Sequence, residues 1–319
     1  MNKNNDVSAA KKSAALLFKD NTDSILLLII MLLLIVSRLI LGAFSSTGVR
    51  YCIAAIILGL FCFVLPSTVY LYLVYFKKGR GVPNVRLSAP PLISTPAIVA
   101  SVFLMISGAI LIVLLGVGGK DFSFSVYSSF EPGKHYGFGT VMLMIIAYAL
   151  IPAICEEFVF RGIFCSLYET HGLLPSAIIS TLFFTLVHLN AAGFPVFIYA
   201  GLILWLVLYA TSSIYVTMGV HFVYNLFCLF GLPYINSYYG DSLDPELFVF
   251  IVTVVFLISA SVFCICNAWI YRKRAKKDVP LTYEMELGGK KALVFTGKVL
   301  VSAGSLLSIV IYIVYAFII

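Results

Sequence analysis

The sequence predicts an all-α protein, a polytopic transmembrane helical bundle of about eight to nine spans. Hydrophobic residues make up 61% of the 319 residues and charged residues only 11%, a composition typical of membrane proteins rather than of soluble domains. The apolar residues form continuous runs of about 20, the length that crosses a bilayer as a helix. Because these runs do not alternate between apolar and polar residues, they favour helices over the strands of a barrel.

Nine apolar runs are long enough to be drawn as spans. Their approximate limits are 24–44, 51–76, 92–117, 138–165, 173–190, 195–211, 213–231, 246–271 and 292–317. The sixth run is short and its connection to the seventh is tight, so eight full spans remain an alternative. We therefore expect a short N-terminal segment, 1–23, followed by one transmembrane domain, 24–319. The first run lacks a small-residue cleavage site and is typical of an uncleaved signal anchor.

Basic residues are concentrated in every second connection between the predicted spans. The strongly basic segments are 1–23, 77–91 and 272–291, whereas the loop after the seventh span carries acidic residues and no basic one. Lysine and arginine are retained on the cytosolic side of membranes, so the pattern predicts a cytosolic N-terminus. The net charge of +7 indicates contacts with lipid headgroups rather than with nucleic acid. The short N-terminal segment shows no organelle signal, which favours a bacterial plasma membrane.

Few ionisable residues interrupt the predicted spans, and most of them fall in one region. A charge in the hydrocarbon layer is costly, so such residues are functional candidates. The six are Arg38, Glu156, Glu157, Arg161, His188 and His221, and an amide, Asn225, follows them. Five of the six lie between positions 156 and 221. Because Arg38 lies apart from this group, we expect its side chain to extend toward the membrane surface without a catalytic role.

Helical spacing separates the two adjacent glutamates. Glu157 and Arg161 are four residues apart, with the glutamate first, so they can form an ion pair on one helix face. Glu156 is rotated by about 100° from Glu157 and has no basic residue one turn away. One glutamate can therefore be neutralised while the other stays available for chemistry.

The remaining polar side chains are predicted to face the same cavity, which would open to the cytosol. His221 and Asn225 are four apart and share a helix face. Counting about 1.5 Å per residue from the cytosolic loops places Glu156, His221 and Asn225 at comparable depths and His188 somewhat deeper. A carboxylate and a histidine can share the proton transfers that activate water, and a second histidine with an amide can stabilise an oxyanion. This set of groups predicts the addition of water to an amide carbonyl.

Other interpretations of the same residues stay open. The Glu157–Arg161 pair can be structural, and single histidines in membrane helices often only pack and form hydrogen bonds. Glu156, His188 and His221 could instead hold a catalytic zinc ion, although no HExxH motif is present. A non-enzymatic protein, an immunity or transporter-like protein that binds a peptide without cutting it, would use the same polar cavity.

Three motifs together resemble those of the CPBP family, the intramembrane glutamic endopeptidases also called CAAX-protease and bacteriocin-processing or Abi proteins. The motifs are Glu156-Glu157-x-x-x-Arg161, Phe184-x-x-x-His188 and His221-x-x-x-Asn225, within a core of about 138–232. The resemblance implies an α-helical, metal-independent peptidase that needs no cofactor and cleaves a membrane-associated peptide or protein. Bacterial members are linked to peptide maturation or bacteriocin immunity, and eukaryotic relatives cleave prenylated CAAX proteins.

The resemblance also implies a role for each motif position. Glu156 and His188 would activate water, and His221 and Asn225 would form the oxyanion hole. The supporting positions would be Glu157, Arg161 and Phe184, the last as a packing residue.

Overall fold

The computed structural model describes residues 22–42, 48–76, 85–88, 94–115, 130–239, 244–275 and 289–318. These residues form helices and connecting turns, and they contain no extended strand. The all-α fold predicted from the continuous apolar runs is therefore confirmed. The predicted cytosolic segment 1–23 lies almost wholly outside the described residues, as do several basic positions of the segments 77–91 and 272–291.

Ten longer helices follow one another along the described part of the chain, with one short helix between the seventh and the eighth. They are α1 (Thr22–Leu41), α2 (Val49–Leu71), α3 (Thr95–Leu114), α4 (Phe138–Glu169), α5 (Leu173–Leu186), α6 (Phe194–Thr211), α7 (Ile214–Leu226), α8 (Pro245–Ala275), α9 (Gly289–Leu300) and α10 (Ala303–Ile318). A π-helical turn, Tyr72–Phe76, extends α2, and another, Phe227–Gly231, joins α7 to a further short helix, Leu232–Tyr239.

The number of spans is lower than the nine drawn from the sequence. Among the described residues, seven helices are long and apolar enough to cross a membrane, and the count rises to eight if α9 and α10, which meet at a 63° bend, form one broken span. The fifth predicted span is too short, because α5 has 14 residues and rises only about 21 Å, less than the hydrocarbon thickness of about 30 Å. The chain is an integral membrane protein in which α5 ends inside the bundle.

Four helices surround the region of the predicted motifs. α4 packs against α5 and α7, and α6 packs against both α5 and α7. Edge-to-face aromatic pairs join α4 to α5, with ring centroids 5.1 Å apart for Phe164 and Phe183 and 5.5 Å apart for Phe160 and Phe184. All four rings are fully buried. This packing fixes the relative positions of the helices that carry the first two motifs.

One end of the bundle is closed by a buried ion pair. Residues 85–88 follow α2 after a gap in the described chain, and the Arg86 guanidinium donates to the carboxylate of Glu169 at 2.7 Å. Tyr209 donates to the same carboxylate oxygen at 2.5 Å. The backbone N–H of Ile214 donates to the Arg86 carbonyl at 3.1 Å. The connections around residues 86, 170 and 213 therefore lie together at one end.

Replacing Arg86 with alanine is expected to lower the free energy of unfolding by about 3 kcal/mol, because the buried Glu169 carboxylate loses its cation. The measurement is the melting temperature of the purified protein in detergent. Lys134→Ala is the matched control, since Lys134 pairs with Glu131 through side chains that are 45% and 59% exposed, and such pairs contribute less than about 1 kcal/mol. Equal melting temperatures for the two variants would contradict the expectation.

Candidate active site

The helix that carries the first motif is not a uniform α-helix. Within α4, the π-helical segments Ile146–Leu150 and Phe158–Phe164 flank the α-helical turn Ile151–Glu157. Pro152 has no N–H to contribute to the helical ladder, which accounts for the irregular bonding before that turn. π-Helical turns occur frequently at functional sites. The two glutamates thus end a short α-helical turn between two wider ones.

Glu157 is the centre of a fully buried charge cluster. Its Oε1 atom accepts a hydrogen bond from Arg161 Nη1 at 2.9 Å and lies 3.0 Å from His221 Nδ1. The side chains of Glu157 and Arg161 are both 0% exposed. The ion pair expected from the spacing is thus present, and it also contacts the histidine of the third motif. Glu157 therefore joins α4 to α7 through His221.

Arg161 is held from a second direction by α6. Its Nη2 atom donates to the carbonyl of Gly201 at 2.9 Å. A Cβ atom at Gly201 would lie 3.0 Å from the side chain of Thr181 and 3.1 Å from the Phe184 ring, so the backbone of α6 approaches α5 closely here. The guanidinium carbon lies 4.4 Å from the centre of the Phe184 ring, a distance typical of a cation–π contact. The sequence motifs include Phe184 but not Gly201, because every residue has a backbone carbonyl and the sequence does not show which one accepts this bond.

Glu156 and His188 form a separate pair. Glu156 Oε2 lies 3.8 Å from His188 Nε2, and the two side chains are 12% and 17% exposed. The other ring nitrogen, Nδ1, lies 2.8 Å from the carbonyl oxygen of Phe184, and a proton on Nδ1 therefore makes that hydrogen bond. The His188 ring stacks on Phe197 with centroids 3.9 Å apart. The ring orientation is thus fixed on two sides, and Nε2 is directed to Glu156.

Several buried polar atoms around the site have no hydrogen-bond partner among the described residues, and two of them belong to predicted catalytic side chains. Glu156 Oε2 has no hydrogen-bond partner in the described part of the chain, and neither does Asn225 Nδ2. Asn225 is 2% exposed and lies one turn after His221 on α7. A buried donor without a partner costs about 1 to 3 kcal/mol, and native proteins rarely contain one without a reason. Both atoms can therefore serve a ligand or substrate.

Phe184 contacts a polar side chain of each of the three motifs. Its ring lies 4.8 Å from the His188 ring and 5.7 Å from the His221 ring, measured between centroids, in addition to its contact with Arg161. Its side chain is 1% exposed. An aromatic ring at this position separates the Glu157 cluster from the Glu156 pair with apolar surface.

The zinc alternative lacks a ligand cluster among the described residues. No group of three or more histidine, cysteine, aspartate or glutamate side chains in this part of the chain could hold a metal ion. Nδ1 of His221 lies within hydrogen-bond distance of Glu157, and Nδ1 of His188 lies within hydrogen-bond distance of the Phe184 carbonyl. In both rings Nε2 is the nitrogen that remains for a further partner.

The expectation for Arg38 was wrong. Its side chain does not extend toward the membrane surface but turns into the bundle, where Nη2 donates to the carbonyl oxygen of His188 at 2.6 Å. An arginine inside a span is a strong signal, because its charge is costly there. Nothing in the sequence relates it to His188, which lies 150 residues away along the chain.

Comparison with known proteins supports the resemblance seen in the motifs. Residues 138–227 match the family model "Type II CAAX prenyl endopeptidase Rce1-like". The matched segment contains all three motifs, so the predicted family relationship is confirmed for this part of the chain. Neither the curated proteins nor the solved structures contain a sequence or fold that matches the chain at a significant level.

Proposed function

We propose that this protein, whose residues 138–227 match the CAAX endopeptidase family, is a metal-independent glutamic endopeptidase of the membrane. It cleaves a peptide bond in a membrane-associated peptide or protein with a water molecule that Glu156 and His188 activate. The observation that carries the proposal is the Glu156–His188 contact of 3.8 Å, in which Glu156 Oε2 has no hydrogen bond from the described residues. A carboxylate and an imidazole at this separation can both accept hydrogen bonds from one water molecule.

The hydrogen bonds of His188 suit it to this role. With its proton on Nδ1, as the contact with the Phe184 carbonyl favours, Nε2 is an acceptor. A water molecule between the two residues would donate one hydrogen to Glu156 and the other to Nε2. One lone pair of the water oxygen would then be directed at the substrate carbonyl carbon, and Glu156 would take the proton as the C–O bond forms.

The later steps return the proton to the leaving group. As the tetrahedral intermediate collapses, the C–N bond breaks and the amine nitrogen takes the proton that Glu156 received from water. The products are a carboxylic acid and an amine, and Glu156 is again a carboxylate. His188 supports both transfers by its hydrogen bond to the attacking oxygen.

The oxyanion of the intermediate would be stabilised from α7. Asn225 Nδ2 is a buried donor without a partner among the described residues. His221 can add a second donor when its ring carries both protons, because Nδ1–H then bonds to Glu157 and Nε2–H remains. A donor in place before the reaction is worth about 3 to 4 kcal/mol of transition-state stabilisation.

We also propose a cytosolic N-terminus and a bacterial plasma membrane as the setting. The connections at residues 85–88, 170–172 and 212–213 lie at one end of the bundle, and the His171 ring stacks on Phe295 of α9 at 3.9 Å. The basic segments that flank these connections would then face the cytosol, as the distribution of lysine and arginine predicts.

Cleavage of a farnesylated CAAX reporter peptide by the purified protein in detergent or nanodiscs tests the proposal. We expect the peptide to be cut by the wild-type protein, and the same peptide without its farnesyl group to be cut more slowly if lipid attachment delivers the substrate. A wild-type protein that binds the farnesylated peptide and leaves it intact would instead support the immunity or transporter-like alternative.

Removal of divalent metal ions is expected to leave the cleavage rate unchanged within about twofold, because the described residues provide no set of three metal ligands. The rate is measured after dialysis against a strong chelator and again after addition of Zn²⁺. A rate that falls after chelation and recovers with Zn²⁺ would assign the reaction to a metal.

A further inference from the structure

The turn that carries His188 is held by a residue from the first helix. Arg38, in the last turn of α1, donates from Nη2 to the His188 carbonyl at 2.6 Å and from Nη1 to the Leu189 carbonyl at 3.5 Å. Arg38 lies outside the segment 138–227 that matches the family model. A guanidinium can bind two adjacent carbonyl oxygens at once because its donors form a planar fork.

The backbone of this turn requires such support. α5 ends at Leu186, and Leu189 adopts a positive φ of 48°, which non-glycine residues rarely adopt. The carbonyls of His188 and Leu189 lie beyond the end of α5, outside its hydrogen-bond ladder, and lipid offers no donor to them. The positive charge of Arg38 also complements the negative end of the α5 dipole. Arg38 therefore satisfies the acceptors and stabilises the turn electrostatically.

A second contact fixes the same turn from the last helix. The Tyr312 hydroxyl of α10 donates to the Asn190 carbonyl at 2.7 Å, and Tyr312 is 5% exposed. α10 packs against α1, and the Arg38 guanidinium lies 5.5 Å from the Tyr315 ring centre. Two helices that flank the motif core thus hold three successive carbonyls of the turn between α5 and α6.

We propose that Arg38 is a positioning residue that holds the His188 imidazole at the distance from Glu156 that water activation requires. The proposal rests on the proposed function. His188 is joined to Arg38 through its own carbonyl, so a shift of the turn moves the α-carbon and the ring together. A displacement of about 1 Å in an active site can reduce turnover about 100-fold.

The kinetic test compares Arg38→Ala, Arg38→Lys and a matched control, Arg50→Ala, whose residue is exposed at the start of α2. With the farnesylated reporter peptide, we expect Arg38→Ala to lower kcat about 10- to 100-fold with KM within about twofold, because the turn moves but the peptide still binds. Arg38→Lys keeps the positive charge but lacks the planar pair of donors, so its kcat should lie between those of Arg38→Ala and the wild type. Arg50→Ala should behave as the wild type.

A second measurement needs no substrate. Hydrogen exchange of the backbone amides of residues 187–190 should accelerate in Arg38→Ala and not in Arg50→Ala, while exchange in the middle of α4 stays unchanged. Unchanged exchange in the turn would overturn the proposal. So would a general loss of stability in Arg38→Ala in which kcat and KM deteriorate together, because that result would make Arg38 a structural residue only.

The two proposals fail in different ways. If Glu156→Gln is inactive and Arg38→Ala retains the wild-type kcat, the positioning role of Arg38 is wrong and the proposed function stands. If Glu156→Gln retains full activity, the proposed function is wrong. The positioning role of Arg38 is then wrong as well, because it assumes that Glu156 activates water.

Discussion

Replacing Glu156 with glutamine is expected to lower kcat about 100- to 10,000-fold, the range that a general base contributes. Glutamine has almost the same shape as glutamate, but its amide cannot accept the proton of water. Because the side chain is 12% exposed and has no hydrogen bond from the described residues at Oε2, the substitution should leave the fold unchanged. The measurement is kcat and KM for the reporter peptide, with the melting temperature as a check on folding.

The control for this variant is Glu131→Gln, at a carboxylate with a 59% exposed side chain in the segment before α4. It makes the same chemical change away from the site and should leave kcat within about twofold of the wild type. Full activity of Glu156→Gln would contradict the assignment of Glu156 as the base. An unfolded Glu156→Gln would instead indicate a structural carboxylate, and Glu156→Asp, which keeps the charge, should then restore the fold.

Replacing Arg161 with alanine is expected to lower the free energy of unfolding by about 3 to 5 kcal/mol, because the fully buried Glu157 loses its cation and the Gly201 carbonyl loses its donor. The melting temperature of the purified protein measures this change. Cleavage should decrease as well, since Glu157 also bonds to His221. The melting temperature of Arg161→Lys should lie between those of the wild type and Arg161→Ala. Lysine keeps the positive charge but lacks the planar pair of donors that reaches both acceptors.

Arg272→Ala is the control for this second variant, because Arg272 is exposed near the end of α8. Its melting temperature should equal that of the wild type. An Arg161→Ala protein with an unchanged melting temperature would show that the buried pair contributes no net stability, and the Glu157 cluster would then need another source of stabilisation.

Local spacing predicted the parts of the site that lie on one helix. The pair of Glu157 and Arg161 follows from their separation of four residues, and it forms even though Arg161 lies in a π-helical segment. The common face of His221 and Asn225 follows in the same way. Such pairs depend on helix geometry alone, which sequence specifies well.

Spacing along the sequence did not predict the contacts between helices. The depth count placed Glu156 and His188 only roughly level, and their 3.8 Å contact depends on where α5 ends and how the turn after it is held. The bond between Glu157 and His221, and the contact of Arg38 with the His188 carbonyl, join residues 64 and 150 positions apart. Hydropathy specifies that segments are buried in lipid but not which neighbours they meet.

The number of spans also depends on contacts between helices. Apolar composition predicted a helical membrane protein, but it did not predict that the fifth run would end after 14 residues or that the ninth would bend by 63°. At the bend, Ser302 donates to the Ser24 hydroxyl at 3.1 Å, and a Cβ at Gly304 would meet Ser24 at 2.5 Å. Close packing against α1 thus sets the direction of α10, and packing of this kind has no hydropathy signal.

The wide turns of α4 change how substitutions along this helix should be interpreted. An α-helix turns about 100° per residue, and a π-helical turn contains an additional residue. In a series of tryptophan substitutions through Phe138–Glu169, the positions that tolerate tryptophan should therefore recur about every 3.6 residues. This periodicity should shift within Ile146–Leu150 and again within Phe158–Phe164. The α-helical stretches Phe138–Ile145, Ile151–Glu157 and Cys165–Glu169 each keep one phase. A helical wheel drawn for the whole span would assign the wrong faces to residues beyond the glutamates.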